Sequence, residues 1–204
     1  MRWYWKGFRN MGRCRTFGRT IMRWGICLAL PFLAWACTKS SPTGIATRLK
    51  VIKAAPTCQG PTGQVFVFLQ PDCPLSQDQT RTLADLAEDP RWRDFCFTGV
   101  FPGSLYQRAE LEAFMLRYPC PYRLLWDPDL ELARALGASV VPEVFVLNGQ
   151  GDVMYQGAID DWAIREGSKR QQPKEAYLKN ALFALQRGEK PQPSKTEAVG
   201  CLLE

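Results

Sequence analysis

The chain has 204 residues, 46% of them hydrophobic and 12% aromatic, which is the composition of a globular protein and excludes an intrinsically disordered one. Its 26 basic and 20 acidic residues give a formal net charge of +6, but residues 1–36 contain seven of the basic residues and no acidic one. The remaining 19 basic and 20 acidic residues nearly balance, so the body of the protein lacks the charge excess of a nucleic-acid-binding protein.

Residues 1–37 are expected to form an export signal or a membrane anchor. The basic stretch leads into the apolar run WGICLALPFLAWAC, which is shorter than the roughly 20 residues of a spanning helix. Small residues before Cys37 resemble a bacterial lipoprotein signal, in which Cys37 becomes the lipidated N-terminus. A lipoprotein, an uncleaved anchor and a secreted protein remain alternatives. All three place the folded body outside the cytoplasm, in the bacterial cell envelope, and the first two attach it to the membrane through the N-terminus.

Residues 38–63 are rich in Ser, Thr, Pro and Gly and predict a tether. Strands and helices then alternate through residues 64–190, and residues 191–204 form a polar, mobile tail that contains Cys201. The predicted order is a strand at 65–69, a helix at 75–88, a strand at 95–101, a helix capped by Ser104, a strand at 122–127, a short helix stopped by Gly137, a hairpin within 141–160 and a helix at 174–187.

This order predicts one α/β domain with a central, mainly parallel sheet, helices on both faces and an antiparallel edge hairpin. The residues expected to line the buried face of the second helix are Leu105, Ala109, Phe114 and Leu116. Those expected on one side of the last helix are Tyr177, Ala181, Leu182 and Leu185.

The segment FLQPDCPLSQ, residues 69–78, places Cys73 between a strand and a helix. The N–H groups of a first helical turn stabilise a thiolate, which is the reactive form of cysteine. Cys73 is therefore the candidate nucleophile. Ser76 stands where a C-x-x-C motif would have its second cysteine, and its hydroxyl is expected to donate a hydrogen bond to the thiolate.

The cysteine turn, and the apolar Val141-Pro142 some 70 residues later before a hairpin, resemble the thioredoxin fold. More narrowly, DCPLSQ, VPEVFVLNGQGDVMYQGAIDD and TEAVGCLLE resemble the redoxin domains of the peroxiredoxin-like and TlpA-like branch of the bacterial envelope. The resemblance implies that Pro142 is cis and lies beside Cys73. It also implies that Val141 offers its backbone to the substrate, and Asp72 and Pro74 are the other candidate substrate-binding residues. Acceptance of a proton by Asp72 and repulsion of the Cys73 thiolate by its like charge are alternatives for this residue.

Because Ser76 replaces the second cysteine, no disulfide can form within the C-x-x-S motif, and a second thiol must come from elsewhere. Cys201 is the preferred internal candidate, and Gly200 before it allows a close backbone approach. A static disulfide of Cys201 with Cys58 or Cys120 is the alternative, and Cys58 with Cys120 is another possible pair. Cys96, between two phenylalanines, is expected to be a buried and inert core residue.

The chain contains no histidine, which excludes His-ligated zinc, a Cys-His catalytic pair and haem attachment through C-x-x-C-H. The cysteines are too far apart for a metal site made of thiols alone, so neither a metal nor another cofactor is expected. Asp160 and Asp161 are interpreted as solvated loop or cap positions.

The predicted function is thiol-disulfide exchange with a thiol or disulfide protein substrate and an external reductant or oxidant. A peroxiredoxin-like antioxidant peroxidase is an alternative, although Gln70 stands where peroxiredoxins carry the hydroxyl three places before the reactive cysteine. A redox-silent binding module on the same fold is the second alternative. Nucleic acid is not an expected partner.

Overall fold

The computed structural model describes residues 50–53, 62–165 and 167–203 of the chain. The predicted signal, Cys37, most of the tether and Cys58 lie outside these residues. The described elements are β1 Lys50–Lys53, β2 Gly63–Phe68, α1 Pro74–Glu88, a 3-10 turn Pro90–Trp92, β3 Phe95–Pro102, α2 Arg108–Arg117, β4 Arg123–Asp127, α3 Glu131–Leu136, β5 Val140–Val141, β6 Glu143–Asn148, β7 Val153–Gly157, β8 Ala163–Arg165, β9 Ser168–Lys169, α4 Tyr177–Gln186 and β10 Cys201–Leu202. Within these ranges, every helix is too short or too polar to cross a bilayer.

Six strands form one sheet in the order β1-β4-β3-β2-β6-β7. Strands β2, β3 and β4 are parallel, and the hairpin of β6 and β7 is antiparallel to β2 at one edge. This arrangement confirms the predicted α/β, thioredoxin-like class. Strand β1 adds a second antiparallel edge beside β4. Because β1 lies within the predicted tether, the sheet begins earlier in the chain than expected.

Alternation along β2 divides the core into two clusters on opposite faces of the sheet. Val65 and Val67 belong to the first cluster, together with side chains from α1, α2 and α4. Phe68 belongs to the second cluster, in which α3 contributes Leu132. Helices therefore cover both faces, as predicted.

Local sequence signals fix several helix ends. Pro74 is the first residue of α1, where its missing N–H costs nothing. Gly137 ends α3 with φ 76°, as predicted from its position. Helix α2 differs from the expectation, because Gln107 rather than Ser104 is its N-cap and pairs reciprocally with Glu110.

The apolar face predicted for α2 is partly wrong. Phe114 is buried, but Leu105 is 75% exposed and Leu116 is 91% exposed, and Ala109 is also exposed. Leu111 takes the buried position instead. The prediction for the last helix was closer, since Ala181 and Leu182 are buried there, although Leu178 and Ala184 complete the buried face.

The segment predicted as a mobile tail is part of the fold. The Thr196 N–H donates to Gln156 O at 2.9 Å, and the Thr196 hydroxyl accepts from the Ala158 N–H at 2.9 Å. Strand β10 then pairs antiparallel with β5, so that Cys201 lies opposite Val141. The described part of this segment, residues 191–203, therefore returns to the site that contains Cys73.

Candidate functional site

Cys73 is the N-cap residue of α1, as its sequence position predicted. Its backbone carbonyl accepts from the Gln77 N–H at 3.0 Å and closes the first helical turn. The side chain is only 2% exposed and belongs to the apolar cluster of Phe68, Leu75 and Val141. The sulfur is therefore at the helix start but is buried among apolar side chains in this conformation.

The Cys73 thiol lies against the segment that contains Val141 and Pro142. Its Sγ donates to the carbonyl oxygen of Val141 at 3.3 Å. The Val141-Pro142 peptide bond is cis, as the resemblance implied. Val141 and Pro142 are both buried, and Pro74 is exposed on the other side of the cysteine.

The predicted hydrogen bond from Ser76 to the Cys73 sulfur does not occur between these two described residues. Ser76 is fully buried, and its hydroxyl accepts from the backbone N–H of Gln70 at 3.2 Å. The Gln70 carbonyl in turn accepts from the Cys73 N–H at 3.3 Å. Ser76 therefore holds the turn that presents the cysteine.

Tyr106, which no sequence motif marked, joins the site from the loop before α2. Its hydroxyl donates to a carboxylate oxygen of the exposed Asp72. Burial raises the pKa of Tyr106, and the hydrogen bond to Asp72 and the negative charge of Asp72 raise it further. Tyr106 thus holds the residue that precedes Cys73.

Cys201 enters the site through strand pairing. Side chains that lie directly opposite in an antiparallel pair point to the same face, so Cys201 shares the face of Val141. Its half-buried side chain packs against the cluster that contains Cys73. The close approach predicted at Gly200 is confirmed, because a Cβ there would lie 2.2 Å from the Val141 carbonyl oxygen.

The other cysteines differ from the expectations. Cys96 is half-buried and disulfide-bonded, so the expectation of an inert core thiol is wrong. Cys120 is a buried thiol, and Cys201 also carries a thiol. The static pairs proposed for Cys201 (with Cys58 or Cys120) and for Cys58 with Cys120 are therefore all wrong. No cluster of three possible metal ligands occurs in the part of the chain that the structure describes.

A cavity of about 290 Å³ opens between Leu75, Pro142 and Trp162. Asp160 lines it and accepts from Gln79 Nε2 at 2.9 Å, and burial raises the pKa of Asp160. The interpretation of Asp160 as a solvated residue is therefore wrong, because the segment after β7 packs on α1. Asp161 holds a loop and does not cap a helix, because it accepts from the N–H groups of Lys174 and Glu175, which precede the N-cap of α4.

Residues 50–156 match the AhpC/TSA family. No curated protein is similar enough to the chain to count as a relative.

Three solved structures share the fold at low sequence identity. An uncharacterized conserved protein from Geobacillus kaustophilus has a TM-score of 0.63 and 20% identity, over 72% of this chain and 79% of that one. A hypothetical protein from Sinorhizobium meliloti has a TM-score of 0.62 and 20% identity, over 70% and 79% of the two chains. The N-terminal domain of PilB from Neisseria gonorrhoeae has a TM-score of 0.50 and 17% identity, over 70% and 90%.

Proposed function

Since the chain belongs to the AhpC/TSA family, we propose that it is a thiol-disulfide oxidoreductase of the bacterial envelope with Cys73 as nucleophile and Cys201 as resolving thiol. One observation supports this assignment above the others. The Cys73 sulfur donates to the carbonyl of Val141, and Cys201 is the strand partner of the same residue. Two cysteines far apart in sequence are thereby brought to one backbone position.

The reaction has two exchange steps. The Cys73 thiolate attacks one sulfur of a substrate disulfide, the substrate S–S bond breaks, and the other substrate sulfur leaves as a thiolate. The Cys201 thiolate then attacks the Cys73 sulfur of the mixed disulfide and releases the second substrate thiol. The substrate gains two electrons and two protons, and the protein is left with a Cys73–Cys201 disulfide, which an external dithiol reduces. With an oxidised partner in place of that dithiol, the same steps run in reverse.

The surrounding residues support this chemistry in distinct ways. The orphan N–H groups of the first turn of α1 favour negative charge at Cys73. Ser76 fixes the turn through Gln70, and the phenol of Tyr106 stays protonated beside the two sulfurs because burial raises its pKa. Pro142 forms a wall of the adjoining cavity, which is open to the flanking part of a substrate.

Trapping of the intermediate tests the proposal. Reduced Cys201→Ser protein, mixed with a disulfide-bonded peptide, should accumulate a Cys73–peptide adduct on a non-reducing gel. The unsubstituted protein should instead pass to an internal disulfide that mass spectrometry maps to Cys73 and Cys201. Cys120→Ser is the matched control, because it removes a buried thiol and should leave both outcomes unchanged.

Two results would contradict the proposal. If the Cys201→Ser protein forms no adduct although its fold is intact, Cys73 is not the nucleophile, and the redox-silent module gains support. If the unsubstituted protein releases the peptide without forming the internal disulfide, Cys201 is not the resolving thiol.

The envelope location rests on residues 1–37, and lipid attachment at Cys37 is the form that we propose. Cells fed a labelled fatty acid should incorporate the label into the chain, and Cys37→Ser should abolish it. Cys27→Ser is the control within the same apolar run. Label that persists in Cys37→Ser would reject lipidation at this residue.

A further inference from the structure

The described conformation closes the nucleophile off from solvent. Cys73 is 2% exposed, although a substrate disulfide must reach its sulfur for exchange to occur. Val199, Cys201 and Leu203 pack against the apolar cluster to which Cys73 belongs. The C-terminal segment therefore forms part of the cover over the site.

The strand pairing of this last part of the segment is short. Strand β10 has two residues, which pair with the two residues of β5. The Leu203 N–H adds one bond to the Ser139 carbonyl at 3.0 Å, and the side chain of Leu202 is 74% exposed. Such a short, half-exposed strand can leave its partner without disturbing the central sheet.

We propose that β10 occupies the edge of β5 at which an extended substrate segment binds, so that docking of the tail and binding of the substrate exclude each other. This inference rests on the proposed function. The substrate should resemble the tail that it replaces. It is an extended polypeptide segment that pairs antiparallel with Val140 and Val141 and brings a disulfide sulfur to the position of Cys201. After the first exchange step, the substrate leaves this edge, β10 returns to it, and Cys201 reaches Cys73.

Adding one methyl group at residue 200 should release the tail, because Gly200 lies against the backbone of Val141. A Cβ at residue 200 would lie 2.2 Å from the carbonyl oxygen of Val141 and 2.6 Å from its carbonyl carbon, and these atoms belong to backbone that cannot turn aside. Gly200→Ala therefore disfavours the docked strand. Leu202→Ala is the matched control, because it shortens an exposed side chain on the same strand.

The full chain is tested in a Cys201→Ser background, so that Cys73 reacts without internal resolution. Hydrogen exchange measures the docking of residues 199–203, with α1 and β2 as internal references for the rest of the fold. Two rate constants of Cys73 are measured, one for alkylation by iodoacetamide and one for exchange with a disulfide-bonded peptide.

Gly200→Ala should lose exchange protection in residues 199–203 only. Because the apparent reactivity scales with the fraction of open molecules, both rate constants should rise by about tenfold. Leu202→Ala should match the parent protein in all three measurements.

The outcomes separate this inference from the proposed function. If the tail is released and neither rate constant rises, or if Gly200→Ala leaves the tail docked, the inference is overturned even when Cys73 exchanges with the peptide. If alkylation rises but no variant exchanges with the peptide, the tail does cover Cys73, and the proposed function fails.

Discussion

Asp127 should be one of the most sensitive positions of the fold, because its carboxylate holds α3 against the apolar cluster that contains Cys73. It is the last residue of β4 and is only 1% exposed. Its two oxygens accept from the backbone N–H groups of Glu131 and Ala133, each at 2.9 Å. Ala133 belongs to the cluster that contains Cys73. The carboxylate thus ties the end of a central strand to a wall of the site.

Asp127→Asn keeps the shape of the side chain but turns one acceptor oxygen into an NH₂ donor. Both partners are backbone donors, so neither orientation of the amide satisfies both of them. One charge-assisted hydrogen bond is lost and a backbone N–H is left without an acceptor, which should lower the free energy of unfolding by about 3 kcal/mol.

Urea denaturation with two-state fitting measures this loss. Asp129→Asn is the control, since it makes the same chemical change two residues away on an exposed side chain and should cost less than about 0.5 kcal/mol. Equal losses in the two variants, or a loss below about 1 kcal/mol in Asp127→Asn, would refute the reasoning about the buried carboxylate.

Two further predictions concern the core. Burial raises the pKa of Tyr106 and Tyr155 above the ordinary value of 10.0, so the unfolded chain releases these protons first and stability should fall as the pH rises above about 10. In an alkaline titration, phenolate absorbance from these residues should appear together with the loss of circular dichroism, and its appearance in the intact fold would contradict the prediction. Trp92→Ala removes a ring that is 1% exposed and should cost about 4 kcal/mol in thermal or urea unfolding. Leu116→Ala, at a side chain 91% exposed, should change the stability by less than about 0.5 kcal/mol, and similar losses in the two variants would contradict the burial argument.

The strands and the cysteine turn could be predicted because their signals are local. Apolar runs bounded by turn residues marked β2, β3 and β4, and Pro74 after Cys73 marked a helix start. Gly137 marked a helix end for the same reason. In α2, by contrast, leucines at 105 and 116 suggested a buried face, but tertiary packing buries Leu111 and leaves both of them in solvent.

Some contacts between distant segments could not be predicted. Nothing near Tyr106 in the sequence indicates that its hydroxyl reaches Asp72, because the bond depends on how β3 and α1 meet. The polar composition of residues 191–200 suggested a mobile tail, whereas hydrogen bonds around Thr196 and the pairing of β10 fix it. Only Gly200 gave a local hint of the close approach to Val141.

The fluorescence of Trp162 should report on events in the cavity, because the residue lines it. Its indole lines the cavity next to Leu75 and Pro142, packs against the cluster of Cys73 and lies 4.6 Å from Lys169 Nζ, measured to the ring centroid. Indole emission responds to nearby cations and sulfur, so arrival of a peptide or oxidation of the thiols should alter its intensity. The difference between the protein and Trp162→Phe would isolate that signal, and each step at Cys73 could then be followed by fluorescence without a label.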